Sequence, residues 1–263
     1  MTLGFSVNDL LPKARGGGQL RMGLAKLSER DWLQPHPDLA ERADGFADYP
    51  EGVQLTRYAE EPGRELAELI GVEGGLPEAA ANAHEDMCLL QRFAGEEQYR
   101  LIGAAVAWPT DWHPKNKIGL PLRALHAPIA GYETQLATGV DRFMETLKPG
   151  AIYGRCNWFI APTGAKRWLA SELPDRPFAQ VTAANAGEAL FVRSERQTLR
   201  RLPDTRAILF TIGVYVSPLG ALSNCNLNQL AAATQTLVSG EGERRGTPAY
   251  AAALKAFAKA QIR

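Results

Sequence analysis

The segment from Trp108 to Tyr132 constrains the fold more than any other part of the chain. It carries prolines at positions 109, 114, 121 and 128, two of the four histidines and two of the five tryptophans. Proline lacks a backbone N–H and clashes with the preceding helical turn, so the segment cannot form one long helix. About two helical turns fit between Pro121 and Pro128, and Pro121 suits the first helical position. The segment is therefore predicted to be a stiff connection with one short helix.

His126 lies beside the apolar side of this predicted helix, near its end. Apolar residues recur at spacings of four, three and four, and thus share one face: Ile118, Leu122, Leu125 and Ile129. A neutral imidazole among apolar side chains is what a haem iron needs from its axial ligand. The alternative is a core histidine bonded to a backbone carbonyl, and the spacing alone does not separate the two interpretations.

Composition is that of an ordinary globular protein and excludes several function classes. The 263 residues fit one large domain or two small ones, with 45% hydrophobic and 22% charged residues. The formal net charge is zero, which gives no support for nucleic-acid binding. No apolar run is long enough for a membrane span, and the first 18 residues have the wrong charge order for a signal peptide. Three widely spaced cysteines argue against a disulfide framework and indicate a reducing, cytoplasmic location.

The order of predicted elements indicates an α+β protein. Apolar, partly β-branched runs predict strands at 99–108, 151–161, 188–195 and 206–216. Helical periodicity predicts helices at 62–70, 78–93, 133–147 and 224–237. Residues 1–20 are predicted to be a flexible segment because they contain a run of three glycines. Residues 21–263 are predicted to form a single domain with helical additions at both ends.

Several common catalytic and cofactor motifs are absent from the sequence. There is no Gly-x-Gly-x-x-Gly after a strand, no P-loop, no nucleophile elbow and no Cys-x-x-Cys pair. His84 has no second histidine four residues later, so it does not begin a zincin motif. Glu85 and Asp86, on the predicted helix, are interpreted as a solvated face or as cap partners.

Two predicted strands carry polar side chains in apolar settings. Arg155 and Asn157 lie two residues apart, so both leave the same face of their strand. Glu195 and Arg196 end another predicted strand. Burying such groups is unfavourable unless they are paired. They are either mutual structural partners or the polar part of a cofactor pocket.

Several segments resemble one known family, in the same order along the chain. The strongest match is RSERQTLRRLP at 193–203, followed by AILFTI at 207–212. Shorter matches are ED and CLL at 85–90, WP, W, KIG and LHAPIAGY within 108–132, and RCNW at 155–158. With MGL and DW near the start, these pieces span about Met22 to Leu219 and resemble the haem-dependent oxidative N-demethylase family.

The resemblance implies a PAS-like antiparallel sheet with helices packed around a pocket for haem b. It implies a histidine axial ligand, assigned to His126, and cofactor contacts from Trp158, Lys117 and Tyr132. It also implies oxidative demethylation, with O2, of a small secondary amine such as dimethylamine. Electrons would come from separate reductase components that carry flavin and an iron–sulfur centre and use NADPH.

The polar strand residues receive roles from the same resemblance. Arg155 and Glu195 are expected to polarise bound oxygen or hold the ammonium group, with Asn157 and Arg196 supporting them. Alternation places Glu195 and Gln197 on one strand face and Arg196 on the other. Two alternatives remain, namely a haem-binding PAS sensor without turnover and a structural domain that binds no cofactor.

Overall fold

The computed structural model describes residues 3–11, 20–237 and 240–261. Within these ranges an antiparallel seven-stranded sheet is combined with eleven α-helices, so the fold is α+β as predicted. The strands are β1 (Ala25–Leu27), β2 (Val53–Leu55), β3 (Asp86–Gln91), β4 (Arg100–Ala105), β5 (Ile152–Ala161), β6 (Phe191–Arg201) and β7 (Ile208–Pro218). The helices are α1 (Val7–Leu10), α2 (Leu39–Ala47), α3 (Glu60–Ile70), α4 (Leu76–Ala81), α5 (Leu122–Leu125), α6 (Tyr132–Gln135), α7 (Ala137–Thr146), α8 (Ala186–Ala189), α9 (Asn224–Ala233), α10 (Glu241–Arg244) and α11 (Ala251–Ala260). No helix in these ranges has the length and apolar character needed to cross a membrane.

The sheet has the strand order β1-β5-β6-β7-β3-β4-β2, and its two longest strands, β6 and β7, lie near the centre. Pairing partners across neighbouring strands point to the same side of a sheet. The register therefore defines one face, called the pocket face below, by Arg155, Asn157, Glu195, Gln197 and Ile212. The opposite face is called the core face.

Each face has its own helical cover. On the pocket face, apolar side chains of α5 and α7 pack against β3, β6 and β7, with Leu122 and Met144 buried against Leu199 and Ile208. On the core face, α3 and α4 pack against the apolar side of β3. Helices α1, α9 and α11 pack against β5 and β6 on that same face, around the buried side chain of Trp158.

The predicted helix at 78–93 is wrong. Helix α4 ends at Ala81 and strand β3 begins at Asp86. In β3 both faces are buried, so the apolar residues run without a gap and their alternation is invisible in the sequence. Glu85 and Asp86 are fully buried, which contradicts their interpretation as a solvated face. Asp86 forms an ion pair with Arg42 and accepts a hydrogen bond from the Ala107 N–H.

Other elements match the predictions with shifted boundaries. The predicted strands at 151–161 and 206–216 are confirmed as β5 and β7, and the helix at 62–70 is confirmed as α3. Strand β6 continues six residues beyond the predicted end, to Arg201. The helix expected at 133–147 is divided into α6 and α7 at Leu136. The short helix after Pro121 is a single turn, α5, rather than two.

The predicted flexible segment, residues 1–20, lies partly outside the described residues, at 1–2 and 12–19. Its described part, residues 3–11, packs onto the core face. There α1 buries Val7 and Leu10, and the Ser6 side chain caps the helix by accepting a hydrogen bond from the Asp9 N–H.

Candidate functional site

The centre of the pocket face is partly open, although helices flank it. Four side chains in the middle of β5, β6 and β7 are only half-buried: Arg155, Asn157, Gln197 and Phe210. Neighbours on the same face, such as Glu195 and Ile212, are buried. Mid-strand side chains of central strands are normally covered when helices pack on the sheet. The half-buried set therefore marks an area of the pocket face that the helical cover leaves open, called the cleft below.

His126 ends the single-turn helix α5 on the side of this cleft. Its Nδ1 atom lies 2.8 Å from the Leu122 carbonyl oxygen, and its ring stacks on Tyr132 with centroids 4.4 Å apart and planes at 9°. Burial lowers the pKa of His126 below its usual value and outweighs the opposing effect of the hydrogen bond to Leu122, and the charges of Lys117 and Arg155 lower the pKa further. The ring is therefore neutral at pH 7, with the proton on Nδ1 and a free lone pair on Nε2.

Glu195 is held from two sides on the pocket face. Its Oε1 atom accepts a hydrogen bond of 2.5 Å from the Thr110 hydroxyl, and its Oε2 atom accepts one of 2.9 Å from the Gln197 amide. Thr110 in turn accepts a hydrogen bond from Arg193 Nε, at 2.6 Å. Arg193 also donates to the Trp108 carbonyl, so this network ties the strand to the proline-rich segment.

Arg155 and Asn157 extend the polar area onto the neighbouring strand. Asn157 lies directly opposite Glu195, and Arg155 lies opposite Gln197. Within the described ranges, neither the Arg155 guanidinium nor the Asn157 side-chain amide makes a hydrogen bond, and Arg155 Nε is buried without a partner. Burial lowers the pKa of Arg155, while the charge of Glu195 partly opposes this effect. These two groups are therefore available to a ligand in the cleft.

Two predicted site residues lie on the wrong face. Trp158 belongs to the apolar cluster of the core face, and Arg196 is fully buried there with its guanidinium over the Phe5 ring at 4.3 Å. Arg196 donates hydrogen bonds to the Trp32 and Asp31 carbonyls. The reason is the two-residue period of a strand, which sends their neighbours Asn157 and Glu195 to the opposite side. The structure does not bring Trp158 and Arg196 together with His126.

Lys117 and Tyr132, both predicted to contact a cofactor, do lie beside His126. Lys117 Nζ donates to the Leu125 carbonyl at 3.2 Å, one residue before the histidine. The Tyr132 hydroxyl is buried without a hydrogen-bond partner in the described structure, and burial raises its pKa to about 12. The sequence did not reveal Thr110 as a partner of Glu195, because nothing in a proline-flanked loop indicates which strand it will contact.

The residues present fit an iron porphyrin. One neutral imidazole with a free lone pair suits an iron that already has four porphyrin nitrogens. Apolar side chains of the cleft, such as Phe210 and Ile212, suit the porphyrin ring, and two cations without carboxylate partners, Lys117 and Arg155, suit its acidic substituents. No cluster of three or more metal-ligating side chains is found among the described residues.

Fold and site together define an α+β protein in which one neutral histidine lies beside a cleft lined by polar strand residues. Residues 54–255 match the family model described as haem-dependent oxidative N-demethylase, alpha subunit-like. Because the match covers well over half of the chain, this protein belongs to that family. The matched range contains every candidate site residue discussed above.

Proposed function

We propose that this chain binds haem b through Nε2 of His126 and catalyses oxidative N-demethylation of a small secondary amine such as dimethylamine. The observation that carries the proposal is the hydrogen bond from His126 Nδ1 to the Leu122 carbonyl. This bond fixes the tautomer that leaves Nε2 free, and such outer hydrogen bonds orient histidine ligands of metals. Bound haem supplies the iron that activates oxygen.

The PAS-like part of the proposal is supported by the five central strands. Strands β3 to β7 form an antiparallel unit in the order β4-β3-β7-β6-β5. The helices between β4 and β5 cover one face of this unit and carry His126. The cofactor cleft would then lie between these helices and the sheet.

Glu195 is proposed to hold the protonated amine. Its carboxylate is oriented in advance by Thr110 and Gln197, so little side-chain freedom is lost on binding. A charge-assisted hydrogen bond between an ammonium and a carboxylate contributes roughly 1.5–3 kcal/mol. The unpaired Asn157 amide lies directly across from Glu195 and can donate to a polar group of the bound molecules. Arg196 has no part in this proposal because it lies on the core face.

The electrons are proposed to come from separate reductase components with flavin and an iron–sulfur centre that use NADPH. Two features of the sequence support this proposal: it has neither a dinucleotide-binding fingerprint nor a Cys-x-x-Cys pair. The purified chain, supplied with haem and amine, should therefore not oxidise NADPH. Steady NADPH consumption by this chain alone would contradict the separate reductase.

The test is reconstitution with haem, followed by chemical reduction in the presence of O2 and a panel of methylated amines. A Soret band together with formaldehyde release from dimethylamine would support the proposal. A Soret band without amine-dependent formaldehyde would indicate a haem-binding module without turnover. Failure to form a Soret band would reject haem binding. The exposed His36 provides a matched control, because His36→Ala should leave both signals unchanged.

A further inference from the structure

Two cations beside the cleft have no carboxylate partner. Arg155 is half-buried in the middle of β5 and makes neither a hydrogen bond nor an ion pair within the part of the chain that the structure describes. Lys117 donates only to the Leu125 carbonyl there. Glu195 is the nearest carboxylate on the strand beside Arg155, and its oxygens are occupied by Thr110 and Gln197.

Every other buried or half-buried arginine of the described residues donates at least one hydrogen bond from its guanidinium group. Arg42 is fully buried and pairs with Asp86 at 2.7 Å. Arg244 and Arg245, which lie near the cleft, both pair with Glu241, at 2.8 and 3.1 Å. A buried charge without a partner is strongly unfavourable, so proteins pair such groups or reserve them for a ligand. Arg155 is therefore the exception among these arginines and is expected to bind an anion, while Lys117 has a carbonyl but no carboxylate as its partner in the described structure.

The positions of the two cations also relate them to the histidine. The bond to the Leu125 carbonyl puts the Lys117 ammonium at the end of the helix that carries His126. Arg155 projects from the pocket face of β5, and its charge acts on His126 together with that of Lys117. An anion bound by both would be divalent or would carry two separate acidic groups. Haem carries two propionates on one edge, one for each of these two cations.

We propose that Arg155 and Lys117 form a carboxylate clamp that binds the two haem propionates. The clamp rests on the proposed function, and it gives Arg155 a cofactor-anchoring role instead of a catalytic one. A carboxylate-bearing substrate would offer the same chemistry to the two cations. If the clamp binds haem, the haem propionates are needed for tight haem binding even when no substrate is present. If it binds a substrate carboxylate, they are not.

The experiment compares haem with haem dimethyl ester, in which both propionates are neutral. Soret titrations of the apoprotein without substrate would give both affinities for the wild type, Arg155→Met, Lys117→Met and the control Arg142→Met. Arg142 is an exposed arginine on α7 away from the cleft. The wild type and Arg142→Met should bind haem more tightly than the ester, and each of the two clamp contacts should contribute a factor of about ten to a hundred. Arg155→Met and Lys117→Met should each lose a factor of that size with haem, but not with the ester.

Thermal melts of the apoproteins complete the test. Apo Arg155→Met should melt at the same or a higher temperature than the wild type, because an unpaired charge has been removed. If apo Arg155→Met melts at a lower temperature than the apo wild type, and the wild type binds haem and the ester equally, the clamp is overturned and Arg155 is a structural residue. Arg155→Lys keeps the charge and should retain part of the preference for haem, even if the methionine variant folds poorly. Wild-type protein that binds neither compound would reject the proposed function itself, whereas equal binding of both would reject the clamp alone.

Discussion

The Nδ1 atom of His126 lies 2.8 Å from the carbonyl oxygen of Leu122, within the same helical turn. The sequence left open whether His126 was a carbonyl-bonded histidine or a metal ligand. The structure shows that the carbonyl bond is made, and this bond is compatible with both, since it uses only one ring nitrogen. The ring is half-buried and neutral, and Nε2 makes no hydrogen bond in the described structure.

The first prediction concerns this ligand. His126→Ala should abolish the Soret band of the reconstituted protein or change its spin state, because the iron loses its protein donor. Absorption spectra at equal protein concentration measure this directly. His113 is the other histidine of the proline-rich segment, and its Nδ1 atom is bonded to the Tyr49 hydroxyl at 2.8 Å. His113→Ala should keep a wild-type spectrum; loss of the band in that variant, but not in His126→Ala, would reverse the assignment.

A second prediction concerns the ion pair of Arg42 and Asp86, which is fully buried. Asp86→Asn would leave the Arg42 charge buried without a partner, so the free energy of unfolding should fall by about 3–5 kcal/mol. Denaturant titration of the apoprotein measures the loss. Arg92 and Glu145 form an exposed ion pair at 2.9 Å, and Glu145→Gln should leave stability almost unchanged. Equal effects of the two substitutions would show that burial does not govern the strength of the Arg42–Asp86 pair.

The sequence predicted those elements whose pattern has one interpretation. Strands β5 and β7 and helix α3 were found because their apolar residues are bounded and periodic. Strand β3 was missed because both of its faces are buried, so apolar and polar residues do not alternate along it. The burial of Glu85 and Asp86 was missed for the same reason.

The structure places Lys117 and Tyr132 beside His126, and Arg155, Asn157 and Glu195 on one face of the sheet; their roles at a haem site stay predictions. Trp158 and Arg196 lie on the opposite face, because a strand sends alternate residues to opposite sides, whereas the resemblance covers each segment as a block. The Thr110–Glu195 bond joins residues 85 positions apart, and local patterns contain no information about such contacts.

The third prediction concerns the fully buried Glu85. Burial raises its pKa to about 7 from the ordinary value of 4.5, and this rise outweighs the opposing effects of the Gln34 N–H and of the charges of Arg196 and Arg42. Between pH 4.5 and 7 the folded protein keeps this proton while the unfolded chain has released it, so stability falls as pH rises through this window. Above pH 7 the loss is complete and amounts to about 3 kcal/mol at 1.36 kcal/mol per pKa unit.

Glu85→Gln provides the measurement, because a neutral amide of the same shape removes this titration. The variant should be as stable as the wild type near pH 4.5 and more stable at pH 8. His84, whose pKa burial lowers to about 4, changes stability in the opposite direction between pH 4 and 6.5. Its effect is common to both proteins and cancels in the difference between their unfolding free energies. A difference that does not vary with pH would show that folding does not raise the pKa of Glu85.

The last prediction concerns Glu195, for which a structural role and a substrate-binding role are both conceivable. In the described structure it has no direct ion pair with an arginine and is bonded to Thr110 and Gln197 instead. Glu195→Gln keeps the shape and one acceptor but removes the charge. If the carboxylate holds an ammonium, dimethylamine affinity should fall about ten- to a hundredfold, while haem content and melting temperature change little.

Thr110→Val is the matched variant, because it removes the bond that orients Glu195 and keeps the carboxylate. It should lower stability by about 1–3 kcal/mol, because Glu195 Oε1 and Arg193 Nε both lose this partner. It should weaken amine binding less than Glu195→Gln does, since the attraction between opposite charges remains. Titration of the Soret band with dimethylamine measures amine affinity, and thermal melts of the same samples measure stability. Together they show whether the charge of Glu195 is needed for amine binding or for stability. If Glu195→Gln lowers the melting temperature and leaves the amine affinity unchanged, Glu195 holds the strand against the proline-rich segment and does not bind the substrate.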